Sequence, residues 1–307
     1  ITGNTLANTT PTGTNEVSYS VDNTLPTLDT KGSNPADDAQ VSSLTDNLQL
    51  EFSEAVQFGT GTIVIRDLTT NVVVQTIDVA SHGGALSIKG GTLSINPTAD
   101  LLAGTQYAVQ FSAGSFIDEA GNALAGIVDN TSYNFTTAPL VELSVDNSAV
   151  IENGGVATFT VSLKDAAGNA VTAAKDKSVV VNLSVTGSAT QITDYTLGNV
   201  NKNNVTINAG ESSKTFTVTA IDDVVSDDNE TVIVAIAGVS NGFESGSQEQ
   251  TVTLTENKAP VVDLNGTGAN GNFSAAFTED GGVIHIAGQL ADGAATITDA
   301  ESDDIQS

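Results

Sequence analysis

Apolar and polar residues alternate with a period of two along most of this chain. Leu48, Leu50 and Phe52 set the pattern, and Leu93 with Ile95, Tyr107, Val109 and Phe111, and Tyr133 with Phe135 repeat it. It continues through Val141, Leu143 and Val145; Phe159, Val161 and Leu163; Val179, Val181 and Leu183; Phe216 and Val218; Val232, Val234 and Ile236; and Val252 and Leu254. Successive side chains of a strand point to opposite faces, so this spacing predicts short strands buried on one side only. Gly, Asn and Asp punctuate the runs, as tight turns require. The stretch "DAAGNAVTAAKDK" comes nearest to a helix, but Gly168 and its Asn and Asp neighbours favour a loop there. The pattern predicts an all-β chain of sandwiches.

Three similar marks divide the string: "VDNTLPTLD", "TTAPLVELSVD" and "TENKAPVVDLNG". Each sets a proline where one module's last strand meets the next one's first, fixing φ and restricting the preceding residue. The expected segments are 1–24, the tail of a preceding Ig-like repeat; 25–138 and 139–257, two complete sandwiches; and 258–307, the front of a further module. A length of 307 residues suits this division.

Charge narrows the partners. Lys and Arg number 9 against 37 Asp and Glu, a net charge of −28, and such a field repels phosphate backbones and anionic lipid. Nucleic acid is excluded as a partner, and direct membrane insertion is not expected, because no apolar run reaches the ~18 residues of a span. With no cysteine, neither disulfides nor thiolate metal sites are available. The opening "ITGNTLANTTPTGTNE" lacks the regions of a signal peptide and reads as the inside of something longer.

Acidic side chains carry the candidate chemistry. "AIDDVVSDDNETVIVAI" crowds five of them between two apolar runs, at the end of a sandwich. Hard oxygen donors in that number suit Ca²⁺, whereas Mg²⁺ demands a stricter octahedron and Zn²⁺ prefers His or Cys. The competing reading is a set of ordinary solvated loop acids. In "IDEAGNALAGIVDN", Asp118, Asn122 and Asp129 surround a bent loop, and Glu54 of "FSEAV" could converge on them; Asp and Asn beside Gly also form turns for backbone reasons alone. Enzymatic readings are weaker. His82 and His285 are the two imidazoles, and both read as surface or edge residues. Carboxylate pairs of the glycosidase kind arise by chance among 37 acids, and no tryptophan is present to line a sugar groove. "GTGANG" fits G-x-G-x-x-G, but no helix-forming run follows it to hold a pyrophosphate. The chain is expected not to be an enzyme.

Three resemblances sharpen this. Through "VELSVDNSAVIENGGVATFTVSL", "TDYT" and "TINAGESSKTFTVTAIDD", the segment 139–257 resembles a Calx-beta domain, the calcium-binding sandwich of sodium–calcium exchangers, integrin β4 and bacterial surface proteins. That resemblance implies calcium ligands at Glu152, Asp194, Asp222, Asp223, Asp227 and Glu230. Calcium-binding members often end in consecutive Asp, but here "TENKAP" leaves Glu256 and Asn257 as substitutes. Segment 25–138 resembles the bacterial Ig-like domain of S-layer proteins and giant adhesins, through "NPADDAQVSSLTDNLQLEFSEAVQFGTGTIVIRD", "SINPTADLLAGTQYAVQF" and "GSFIDEAGNALAGIVDNTSYNFTT". From 258 onward the chain is similar to the front half of a cadherin-like repeat of RTX adhesins, which implies Asp263, Glu279, Asp299 and Glu301 as ligands.

The resulting expectation is an all-β chain of tandem Ig-like and Calx-beta β-sandwiches joined end to end. It would form a calcium-binding extender region of a large secreted bacterial surface adhesin. Its partners would be the neighbouring repeats of the same long chain and a host or surface glycan or protein. A glycan- or peptide-binding head module, and a non-catalytic accessory region of a secreted hydrolase, are the alternatives.

Overall fold

The computed structural model describes residues 21–222 and 229–256, with the backbone of three further strands, Val261–Asp263, Ser274–Ala276 and Thr296–Thr298. The described residues hold strands and turns and no helix. The chain divides into two compact units, Ile1–Leu101 with Gln106–Thr136, and Leu102–Thr105 with Thr137–Ser307.

The strands of the first unit are β1 (Leu28–Asn34), β2 (Ala39–Val41), β3 (Leu48–Phe52), β4 (Val56–Phe58), β5 (Thr62–Asp67) and β6 (Val72–Asp78). They continue with β7 (Leu86–Lys89), β8 (Thr92–Ile95), β9 (Gln106–Phe111), β10 (Phe116–Asp118) and β11 (Asn134–Thr137). One sheet runs β1-β3-β8-β7, the other β2-β11-β9-β5-β6, and β4 pairs with β10 as a separate ribbon. The alternation places Leu50, Leu93 and Ile95 of one sheet and Ile63, Ile65 and Val109 of the other in one core with Tyr107, Tyr133 and Phe135. Each such side chain removed from water contributes about 1.5–3 kcal/mol. Tyr133 donates its hydroxyl to the Pro35 oxygen at 2.7 Å, which satisfies the one polar atom of an otherwise apolar ring.

In the second unit the strands are β12 (Leu140–Val145), β13 (Ala149–Ile151), β14 (Val156–Lys164), β15 (Val179–Gly187) and β16 (Tyr195–Gly198). They are followed by β17 (Asn204–Ile207), β18 (Ser213–Ala220), β19 (Glu230–Ser240), β20 (Phe243–Glu244) and β21 (Glu249–Thr255). Their sheets run β16-β18-β14-β12-β20 and β13-β21-β19-β15-β17. Phe159, Val161 and Leu163 face Val181, Val234, Val252 and Leu254 across the core. The rings of Phe159 and Phe216, cross-strand partners in register, stack with centroids 4.9 Å apart. "DAAGNAVTAAKDK" forms turns rather than a helix, with Gly168 at φ +85°.

After β21, β22 (Val261–Asp263) pairs antiparallel with both β23 (Ser274–Ala276) and β24 (Thr296–Thr298).

Candidate functional site

In the first unit the acidic residues gather where the chain comes in. Ser53, just past β3, is bonded to the incoming segment both ways: Ser53 N donates to Thr27 O at 2.9 Å, and Thr27 N to Ser53 Oγ at 3.0 Å. This brings residues 22–24 beside Glu54. The β4–β10 ribbon sets Val56 opposite Asp118, so the carboxylate of Asp118 returns to the same corner. Asp22, Glu54 and Asp118 each offer a carboxylate oxygen within 4.8 Å of the others. Among the described residues this is the one group of three or more acidic or histidine side chains so close.

The loop "DEAGN" fixes that corner. Asp118 Oδ1 accepts the Asn122 N–H at 2.7 Å and Oδ2 accepts the Asn122 amide, also at 2.7 Å. The same amide nitrogen donates to Asp22 O at 3.0 Å and Thr24 O at 3.1 Å. Three acceptors around one nitrogen fix its identity, because a flipped amide would set oxygen against oxygen. Asn122, expected as an oxygen donor, therefore turns its nitrogen to the cluster and ties the incoming segment to the loop.

The electrostatics follow from this packing. Partial burial, then the charges of Asp22 and Asp118, raise the pKa of Glu54 above the ordinary carboxylate value. Burial pushes Asp118 the same way, but the bonds from Asn122, Gly121 and Ala120 outweigh it and hold that pKa low. Lys31 pairs with Asp37 and Lys214 with Glu211, so neither of these cations compensates the cluster.

Asp129 serves its own turn. Its Oδ1 accepts the N–H groups of Thr131 and Ser132 at 2.8 and 2.7 Å and its Oδ2 the Ser132 hydroxyl at 2.7 Å. Its carboxylate is not in the group of three.

In the second unit, strand register decides which acids share an end. Val156 lies opposite Thr219, Tyr195 opposite Ala220, Glu230 opposite Leu254, and Ile151 beside Thr255. Loops 151–156 and 187–195, the end of β18 with Ile221 and Asp222, the start of β19 and the end of β21 therefore meet at one pole. Glu152, Asp194, Asp222, Glu230 and Glu256 belong to it. Main-chain bonds link Glu152 to Thr255 at 3.0 Å, Ala220 to Gly155 at 2.9 Å and Ile221 to Asp194 at 2.9 Å. Glu152 is buried, and the buried Oε2 of Glu256 has no hydrogen-bond partner among the described residues. Burial and the Asp194 charge raise the pKa of the Tyr195 hydroxyl. Asp223, Asp227 and Asn257 lie outside the described residues, and the five described acids make no group of three within 4.8 Å. Of the cadherin-like set, Asp263 ends β22, while Glu279, Asp299 and Glu301 lie outside the described residues.

Asp22 was not expected at a site. It stands in "VDNTLPTLD", legible only as a module boundary, and its companions lie 32 and 96 residues further along the sequence. Of the histidines, His82 packs its ring on Phe58 with centroids 4.5 Å apart, and His285 lies outside the described residues.

Residues 22–137 match the family model of a bacterial Ig-like domain. Among solved structures the chain is similar to the apo form of the Calx CBD1 domain, at 20 % identity and a TM-score of 0.30, over 39 % of this chain and 99 % of that one. It is similar to the N-terminal part of the bacterial S-layer protein SbsC, at 16 % identity and a TM-score of 0.26. That likeness covers 76 % of this chain and 44 % of the S-layer structure, less than half of it. The C-terminal domain of the Streptococcus agalactiae AgI/II polypeptide BspA is a third, at 11 % identity and a TM-score of 0.29, over 75 % of this chain and 99 % of that one. No curated protein matches the chain in sequence.

Proposed function

We propose that this chain is a non-catalytic extender region of a large secreted bacterial surface adhesin of the RTX type. In this reading Ca²⁺ fastens its linkers to its sandwiches. The observation that carries it is the meeting of Asp22 with Glu54 and Asp118 within 4.8 Å. Two of these carboxylates belong to the sandwich and the third to the segment leading into it, so an ion held by all three joins linker to module. The donor set fits calcium: three hard carboxylate oxygens and no nitrogen or sulfur. Bound calcium would supply the positive charge that the crowded carboxylates lack.

The pole of the second unit supports the same reading where the chain leaves β21. Glu152, Asp194, Asp222, Glu230 and Glu256 would hold the ion there with Asp223 and Asp227, as the Calx-beta resemblance implies. The Glu256 oxygen, without a hydrogen-bond partner among the described residues, is a buried acceptor that a cation would satisfy, and leaving such a group unmet is costly. An ion that binds the folded pole and not the unfolded chain stabilises by RT ln(1 + [L]/Kd), about 2.7 kcal/mol at a hundredfold excess over Kd. Extracellular modules commonly bind at about 10⁻⁴–10⁻³ M, so secretion into calcium would tighten the linkers. Neighbouring repeats of the same chain are the immediate partners, and the bacterial cell surface is the place of action.

Calorimetric titration of the chelated chain with Ca²⁺ and with Mg²⁺, alongside thermal unfolding, tests this. Calcium should bind and raise the melting temperature, and Glu54→Gln with Asp118→Asn should remove one class of site while leaving the second unit's response. Asp222→Ala with Asp223→Ala should do the reverse. The reading fails if millimolar calcium gives neither heat nor a shift in melting.

A further inference from the structure

A cleft of about 410 Å³ opens in the first unit beside the start of β3, within the size range of small-ligand sites. Register sets it at the end of the sandwich away from the acidic cluster, because Asn34 aligns with Gln49 while Leu28 aligns with Phe52. Its floor is apolar and buried, formed by Pro35, Leu48 and Leu101. Its rim carries the side chains of Asn34, Ser42 and Asp46, all exposed and without a hydrogen bond to the described residues. The frame around them is fixed in advance. Tyr133 Oη donates to Pro35 O at 2.7 Å, Leu101 N to Leu44 O at 2.9 Å, and Asn47 Nδ2 to Ser94 Oγ at 3.2 Å. Such preorganisation lowers the entropy lost on binding.

The lining chemistry selects the ligand. Among the described residues no basic side chain lines the cleft, so a phosphate, sulfate or carboxylate would find no counter-charge there and would face Asp46. Nor does an aromatic ring of the described residues line it, so a flat heterocycle would find none of these rings to stack on. An ammonium could meet Asp46, but an exposed ion pair gains little in water. An amide, a hydroxyl and a carboxylate together offer donors and acceptors side by side, matching vicinal hydroxyls, and the aliphatic floor suits the C–H face of a pyranose ring. We propose that this cleft is a binding site for a neutral saccharide of one or two rings. The assignment stands apart from the calcium reading, since no cluster carboxylate lines the cleft.

The test uses the whole chain. Glucose, galactose, N-acetylglucosamine, cellobiose, lactose and chitobiose are screened by saturation-transfer NMR and then calorimetry, in calcium and again in chelator, with lysine methyl ester as the cationic probe. At least one sugar should bind equally in both media, with affinity reduced about tenfold or more in Asn34→Ala with Asp46→Ala, a change that removes two hydrogen-bonding rim groups. Both positions are exposed, so unchanged melting of the variant certifies its fold. Silence across the sugars, binding undiminished in the folded variant, or binding of the amine in place of sugar each overturns the proposal. None of these outcomes bears on calcium, whose titration stands or falls separately.

Discussion

The side-chain amide of Asn122 donates to the main-chain oxygen of Asp22 at 3.0 Å, across 100 residues of sequence. One nitrogen thereby holds the segment before the first strand against the loop after β10. Asn122→Ala removes the bonds to Asp22, Thr24 and Asp118 together and leaves a nearly buried carboxylate short of a donor. Losing a buried partner of a charged group costs about 1–3 kcal/mol. The first unit should unfold at lower urea by that amount, and hydrogen exchange should show residues 22–24 released while the second unit keeps its protection. Unchanged exchange at Thr24 would mean that the tie does not hold the segment.

Asp129 predicts an acid-side loss of stability. Bonds from the Ser132 hydroxyl, the Thr131 and Ser132 N–H groups and the Thr131 hydroxyl hold its pKa far below the ordinary value. A carboxylate with a folded-state pKa below its unfolded value of about 3.9 binds fewer protons folded than unfolded. Its contribution is complete above that unfolded value and disappears as pH falls toward the folded one. Asp165 is lowered in the same sense, chiefly by the Asn169 amide. Urea midpoints measured from neutral pH down to about pH 2 should fall on the acid side, and Asp129→Asn should lower the neutral plateau and flatten that limb. A limb of equal slope in the variant would remove Asp129 as a cause.

The strands were legible in the sequence because each sheet buries one face, and period two is the trace of that. Val179, Val181 and Leu183 show it, all buried while Val180 and Asn182 between them are not. In the second unit the sequence sets acids at strand ends, Glu230 at the start of β19 and Glu256 just past β21, but among the described residues no three of them come within 4.8 Å. Asp22 was not legible, because its place depends on a docking made by Asn122, and no local spacing encodes it. The motif Asp-x-Ala-Gly-Asn occurs twice, at 118–122 and 165–169, with the same Asp–Asn bonds of 2.7–2.9 Å. Only Asp118 belongs to the acidic group. The motif therefore specifies a turn, and the companions brought by the fold decide whether the turn also lies at a cluster.

The second core depends on its stacked ring pair. Phe159 and Phe216 are fully buried with their planes 13° apart. Phe216→Ala should destabilise the second unit by about 3–5 kcal/mol, the transfer loss plus the cavity left behind. Phe216→Leu, which keeps most of the volume, should cost much less. Equal losses for the two would show that ring stacking, worth only about 0.5–1.5 kcal/mol beyond burial, was the larger part.

Ile192 offers a change in the opposite direction. It is 81 % exposed and sits at φ +83° in the loop before β16, where its N–H donates to Tyr195 O at 2.8 Å. A β-branched residue in the left-handed region carries strain of about 1–3 kcal/mol, and so exposed a side chain returns little by packing. Glycine relieves the strain but loses about 0.4–1 kcal/mol through the greater freedom of its unfolded chain. The balance favours the substitution, so Ile192→Gly should stabilise the second unit by about 1 kcal/mol, the difference of these terms. Ile192→Ala keeps a Cβ at the same φ and should gain less. The urea midpoint of the second unit measures both, and a lower midpoint for Ile192→Gly than for the parent chain would mean that the isoleucine side chain contributes more than its exposure indicates.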